Sequence, residues 1–386
     1  MKNTTNNPII GRDARNPACS FVLYIFSVGV FSVSSISSAH ATINCTGYLP
    51  NSYFERIEAK EKFAGKLVEQ VDGTQQLQDS DGKVIIDDLA NAYLLMDEYV
   101  LAQRLSNIND SHINDNDKNH DAKYGVISVA GKTIVPFKYD EIQTEPDIAT
   151  SFIVRMNTPE GSTKQGIINR HGKWVYPLAH AHIQHAHYDP DYDQDYFVIT
   201  EADSQSKMSH QKLTGLLDDK GYWAIMPNYD SITPLNACTG KPLYVQVSLK
   251  NERALLDQNG SIVVAFAPHQ HIESFNMTAN PLLFLRSALV VGSTATGMSE
   301  DIQDEITSAQ IIDVDGKLLV ASESPIRKLL YHQLYTYKQA GKYGLLNDQG
   351  EVILKPQFDR YEDEGSDVWF EKNGERLHLN TLIERD

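Results

Sequence analysis

Apolar positions along this chain come in short paired or alternating runs, broken by Gly, Pro, Asn and Asp, and one seven-residue pattern recurs. It has the form small residue, two apolar residues, three polar or turn residues, glycine. The copies begin with Gly125-Val-Ile-Ser-Val-Ala-Gly131, Gly166-Ile-Ile-Asn-Arg-His-Gly172 and Gly215-Leu-Leu-Asp-Asp-Lys-Gly221. They continue with Ala254-Leu-Leu-Asp-Gln-Asn-Gly260, Gln310-Ile-Ile-Asp-Val-Asp-Gly316 and Gly344-Leu-Leu-Asn-Asp-Gln-Gly350. Gln76-Leu-Gln-Asp-Ser-Asp-Gly82 is a degenerate first copy. The step inside the box is constant, whereas successive boxes lie 34 to 56 residues apart. A fixed core with variable spacers is one structural unit with loops of different length.

The box predicts a strand running into a tight turn. Its last glycine takes the φ > 0 position of a type I turn with a G1 bulge, which assigns that role to Gly82, Gly131, Gly172, Gly221, Gly260, Gly316 and Gly350. A second strand follows each glycine, as in Trp174-Val-Tyr and Trp223-Ala-Ile. In five copies it reaches a proline (Pro136, Pro177, Pro227, Pro268, Pro356), which is expected to end it for want of a ladder donor. Another alternating strand precedes each box, such as Tyr196-Phe-Val-Ile-Thr. The predicted unit is strand, hairpin loop, strand, tight turn, strand and a proline-marked link. The long spacers 103–122, 202–213 and 287–308 all fall in the first hairpin loop and so line one face or edge. No unit has enough core to stand alone, so the units must stack.

The fuller pattern Lys-aromatic-Gly-apolar-apolar-Asp-x-x-Gly-Lys-x-apolar-apolar-Pro-x-x-Tyr-Asp-x-Ile resembles the WG-repeat (KWG) proteins of bacteria. The best matches run from Lys123-Tyr124-Gly125 to Ile142 and from Lys342-Tyr343-Gly344 to Tyr361, and the likeness extends over about residues 66–386. The Trp that names the family is absent before the glycine, where Tyr124, Gln165, Thr214 and Tyr343 stand. The copies are therefore diverged, and no ligand of a better-matched member carries over. The resemblance implies a non-catalytic repeat scaffold with no catalytic residues to transfer. The expected fold is all-β: tandem hairpin repeats stacked into a propeller-like or open superhelical array, for which seven boxes suit either form.

The ends read differently. Lys2, Arg12 and Arg15 lead into the apolar run Phe21–Val33 and then Ser37-Ser-Ala39-His40-Ala41, the order of a secretory signal peptide cleaved after Ala41. An uncleaved anchor is the alternative, but the run falls short of the roughly 20 residues a membrane span needs. The division is then 1–41 signal peptide, 42–65 N-terminal cap segment and 66–386 seven-copy array with a C-terminal hairpin turning at Asn373-Gly374. The cap is either a short amphipathic helix or already the first strand. Export places the protein in the periplasm or outside the cell, with no membrane insertion after cleavage. There Cys45 and Cys238 are a disulfide candidate, two unpaired thiols being the alternative. The formal charge of −17 excludes nucleic acid and anionic membrane surfaces as partners.

Candidate chemistry is sparse. His180, His182, His185, His187 and Asp189 form the sharpest cluster, because residues two apart in a strand share a face and imidazoles with a carboxylate suit a transition metal. Against this, the tract occupies the link where other copies carry Tyr-Asp. Asp115–Asn119 and Asp189–Asp195 have the carboxylates of a calcium loop without its glycine and closing Glu, and read as solvated loops. Trp174, Trp223 and Trp369 read as strand packing rather than a sugar platform. No Gly-x-Ser-x-Gly, His-Glu-x-x-His, Gly-x-x-x-x-Gly-Lys or Cys-x-x-Cys occurs. The expectation is an exported scaffold, not an enzyme and without a cofactor, that binds an unidentified protein or envelope polymer. The alternative is a secreted metal-binding protein using His180–His187.

Overall fold

The structure, a computed structural model, describes residues 62–105, 122–145, 150–189, 193–202, 212–235, 243–276, 282–290 and 305–383. The signal segment, most of the cap, Asp115–Asn119, Cys45 and Cys238 lie outside the described residues. Among the described residues the strands pair only with their neighbours in sequence, always antiparallel, in eight successive units. Unit 4 is complete: Ala181–Asp189, Gln194–Ala202, Lys212–Asp218 and Trp223–Tyr229. Units 3, 5, 6 and 7 repeat it over Glu141–Ala179, Ser231–Pro268, Gln270–Ser322 and Arg327–Phe358. Units 1 and 2 (Lys66 to Tyr139) share the long strand Val84–Leu95, which pairs with Gln75–Gln78 at one end and Tyr99–Leu105 at the other. Unit 8 has three strands, Arg360–Glu364, Asp367–Lys372 and Glu375–His378, followed by the short helix Leu379–Ile383. No described helix is long and apolar enough to cross a membrane.

Units 2 to 7 have four strands where the pattern predicts three and a link. The stretch after Tyr-Asp is itself the first strand of the next sheet. Nor does the proline end the last strand in four of its five copies. At Pro136, Pro177, Pro227 and Pro356 the strand continues through a bulge: Val126 pairs with Val135, but Tyr124 with Tyr139. A proline is tolerated because this strand is the sheet's edge, and the bulge absorbs its missing donor.

The paired apolar residues of the box follow from stacking. Side chains of successive strand residues point to opposite faces, so two adjacent apolar positions mean both faces are buried. Ile167 joins the cluster shared with unit 4, whereas Ile168 joins the one shared with unit 2. Leu216 and Leu217, Leu255 and Leu256, and Leu345 and Leu346 divide in the same way. The core is therefore a series of seven seams between consecutive units. The degenerate first box now has a cause. Leu77 faces unit 2 and stays apolar, while Gln78 occupies the face that no described unit covers.

The rest of the motif is turn chemistry. The fourth box residue accepts, through its side chain, the N–H groups two and four residues on: Asp79 from Asp81 and Lys83, Asn169 from His171 and Lys173, Asp313 from Asp315 and Lys317. All seven closing glycines have φ between 74° and 87°. The Asp after the aromatic residue caps the next hairpin: Asp140 accepts the Asn157 N–H at 2.7 Å and Asp359 the Asn373 N–H at 2.8 Å. The motif lysines reach those same carboxylates, Lys123 to Asp140 at 2.5 Å and Lys342 to Asp359. Gln165, where the family has Trp, accepts the Ile183 N–H of the next unit at 2.6 Å, as Gln75 does from Ala92 at 2.7 Å.

Candidate functional site

The densest buried chemistry lies at the seam of units 3 and 4, at the end of the sheets where the box turns sit. Its hub is Asp195, 2% exposed at the start of the second strand of unit 4. One carboxylate oxygen accepts a hydrogen bond from the Thr150 hydroxyl of unit 3, and the other lies 2.8 Å from Nε2 of His185. The backbone carbonyl of Asp195 accepts the Asp219 N–H at 3.0 Å. Beside it Arg170 of unit 3 donates to Asp193 at 2.7 Å, and Tyr188 OH donates to the other oxygen of that carboxylate at 2.7 Å. Asp193 and Asp195, read as part of a solvated acidic loop, are thus committed to the seam.

Burial alone would lower the His185 pKa. The charge and hydrogen bond of Asp195, with Glu145 3.7 Å from Nδ1, outweigh it and hold the imidazole above its ordinary value. Asp219 has the opposite problem. Burial first, then the charges of Asp195 and Asp218, push its carboxyl up to about 6, and its Oδ1 is buried without a hydrogen-bond partner. Tyr196 is pushed up to about 12 by burial and by Asp189, Asp218 and Asp219. A carboxyl whose folded pKa exceeds its unfolded value of about 3.9 opposes folding above both values, and the opposition fades as pH falls through 6 towards 4. Asp219→Asn keeps the backbone hydrogen bond and removes the charge. It is expected to raise stability by about 1 kcal/mol at pH 7.5, solvent screening of the partly exposed group being allowed for. Thermal unfolding of both proteins checks this; a gain that persists undiminished at pH 4 would disprove the electrostatic cause.

The structure divides the histidine tract. His180, which precedes the strand, and His182 are exposed; Nδ1 of His180 lies 3.2 Å from the Thr163 carbonyl. His185 turns onto Asp195 and against Phe197. A bulge between His185 and His187 then re-aims the strand, so that His187 is buried beside Tyr196 and Asp189 is buried too. Among the described residues no three His, Cys, Asp or Glu side chains are placed to hold a metal ion. Nor does the seam form a nucleophile–base pair, because the Thr150 hydroxyl donates to Asp195 rather than to His185. Its geometry is that of a polar clasp between two units. The sequence reading missed Thr150 and Asp219 altogether. A usable signal existed for His185 and Asp195, ten residues apart across one hairpin whose register brings their strands together.

Comparison with known proteins agrees with the repeat. The sequence profile of the WG containing repeat matches residues 124–145 and 343–367. No curated protein sequence matches the chain. Solved structures similar to it include a eukaryotic initiation factor at 13% identity and TM-score 0.35, over 67% of this chain and 62% of that one, less than two thirds of its length. The β-propeller domain of the Trilobed protease from Pyrococcus furiosus is similar at 10% identity and TM-score 0.21, over 83% and 93% of the two chains. AztD from Citrobacter koseri is similar at 12% identity and TM-score 0.23, over 77% and 85%. With the motif's Lys–Asp pairs and turn glycines in place in both matched segments, the chain carries WG containing repeats at 124–145 and 343–367, consistent with a WG-repeat protein.

Proposed function

We propose that this all-β repeat scaffold is exported to the periplasm or beyond, is not an enzyme, and binds a protein or a cell-envelope polymer. The observation that carries the reading is where the chain has been lengthened. The two longest inter-strand segments, 106–121 and 291–304, join the second and third strands of units 2 and 6, as 203–211 does in unit 4; 235–243, equal in length to 203–211, joins the first and second strands of unit 5. In an antiparallel sheet the connection between second and third strands lies at the end opposite the box turns, so 106–121, 203–211 and 291–304 leave and re-enter their sheets at that end. They are pure insertions: Leu105 pairs with Ala122, Ala202 with Lys212 and Val290 with Glu305. The strands on either side of 106–121 and 203–211 pair without a break in register, and chain inserted between paired strands is where binding residues concentrate. The signal-like N-terminus supports export, and the clasp geometry of Thr150, Asp195 and His185 supports a non-catalytic role.

Replacing 106–121 by Asn-Gly, a type I′ turn, is expected to leave unfolding within about 1 kcal/mol of the parent while weakening capture of the partner. Cross-linking in periplasmic extract, parent against variant, reads the second effect. An unchanged cross-linking pattern after removal of all three segments would refute binding through them.

A further inference from the structure

We propose that Asn373 is a site of spontaneous deamidation, and that the change opens the last hairpin of the array. The reaction needs no enzyme. The Gly374 nitrogen gives up its proton and bonds to the side-chain carbonyl carbon of Asn373. The bond from that carbon to the amide nitrogen breaks, and ammonia leaves with the proton. Water then opens the resulting succinimide at one carbonyl or the other, leaving aspartate or isoaspartate at 373. The attack requires that the following backbone N–H be accessible, not already donating, and within reach of the side chain.

Only one position in the chain meets that requirement. Five Asn-Gly or Asp-Gly pairs occur, all among the described residues. In four of them the glycine N–H donates to the carbonyl three residues earlier: Gly73 to Gln70, Gly82 to Asp79, Gly260 to Asp257 and Gly316 to Asp313, at 3.0 to 3.2 Å. Asn373-Gly374 is instead the two-residue connection of a hairpin that pairs Lys372 with Glu375. With φ of 53° and 82° it is a type I′ turn, in which the second residue's N–H points away from the turn. The Gly374 N–H has no acceptor among the described residues. Asn373 and Gly374 are both exposed, and a Cβ on Gly374 would meet nothing within 4 Å, so the side-chain amide has room to swing onto the nitrogen.

The matching hairpin of unit 7 shows what unit 8 lacks. Its turn Ala340-Gly341 has the same backbone form, with φ of 48° and 74°. There Glu323 accepts both N–H groups, Ala340 at 2.9 Å and Gly341 at 3.0 Å. Asp359 holds the equivalent place in unit 8: its own N–H donates to the Glu371 carbonyl as that of Glu323 does to Lys338. One methylene shorter, its carboxylate takes the Asn373 N–H at 2.8 Å and pairs with Lys342, and Gly374 is left over.

Both products disturb the turn. A carboxylate at 373 lies beside that of Asp359, and like charges repel. Isoaspartate also adds a methylene to the backbone of the turn that sets the Lys372–Glu375 register. The hairpin so closed places Val368 and Phe370, with Leu379 beyond it, in the core shared with unit 7.

The test incubates the full chain at pH 8.5 and follows deamidation by peptide mass spectrometry. Asn259, the asparagine of the other Asn-Gly pair, is the internal reference because its glycine N–H is bonded. In the folded chain Asn373 is expected to deamidate at least about fivefold faster than Asn259, and in urea, where both turns are lost, within about twofold of it. Asp359→Glu keeps the carboxylate and gives it the reach of Glu323. It is expected to slow Asn373 about fivefold and to leave Asn259 unchanged. Hydrogen exchange of the converted chain should be faster over 367–383 and unchanged in units 1 to 6. No product at 373, or equal rates at the two asparagines in the folded chain, overturns the site. An unaltered rate at Asn373 in Asp359→Glu overturns the part given to the free Gly374 N–H. Unchanged exchange after full conversion overturns the opening of the hairpin.

Discussion

Gly172→Ala will cost about 3 kcal/mol of stability, and Gly82→Ala only about 1 kcal/mol, although both glycines close the same turn with nearly the same φ. The shared part is conformational. An L-residue at φ near +80° is strained, and alanine adds nothing to offset it. The difference is the neighbour. A Cβ on Gly172 would stand 2.9 Å from the carbonyl oxygen of Ile134 in the preceding unit, whereas Gly82 has nothing within 4 Å. Backbone cannot move aside as a flexible side chain can, so the seam between units 2 and 3 has to open. Chemical denaturation of the two variants gives the comparison. Hydrogen exchange should further show faster exchange at the seam of units 2 and 3 in Gly172→Ala and no seam-specific change in Gly82→Ala. Equal losses in the two variants would mean that the glycine serves its turn alone and the units do not stack through it.

That comparison also marks what could be read from the residues. The box exposes its own turn: Asp or Asn at the fourth position and glycine at the seventh dictate the local hydrogen bonds whatever surrounds them. The two apolar residues between imply burial on both faces, and hence stacked sheets. Strand count was less legible. Ala181–Asp189 lacks a clean alternation because a bulge at His185 shifts its facing halfway along, so a strand resembles a histidine-rich link. The prolines misled for a related reason: whether a proline stops a strand depends on whether that strand is an edge, which is a tertiary fact. The clasp was hidden more deeply. Thr150 and Asp195 are 45 residues apart, in different units, and nothing local distinguishes Asp195 from the other carboxylates of Asp189–Asp195. Trp174 shows the same limit. Its strand position is legible, but not that it packs on Gly166 with the next unit's turn against Val175 and still stays 46% exposed.

Asp195→Ala is expected to cost about 3 kcal/mol or more at pH 6, because it strips partners from Thr150 and His185 inside a closed seam. The cost should depend on pH in a direction the geometry fixes. The folded pKa of His185 lies above its unfolded value of about 6.5, so the stability it contributes is fully present below 6.5 and is lost as pH rises through the folded value. The variant's deficit is therefore larger at pH 5.5 than at pH 8.5. It does not vanish at pH 8.5, since Thr150 still lacks its acceptor. A second consequence comes from Asp219, whose carboxyl is raised partly by the charge of Asp195. Without Asp195 that repulsion is gone, so Asp219→Asn should gain less in the Asp195→Ala background than in the parent, a coupling a double-mutant cycle measures. If the two substitutions add independently, and the deficit is the same at both pH values, the clasp contributes by packing alone and the buried charges do not interact across it. If they couple as expected, the seam of units 3 and 4 is where acidity acts on this array.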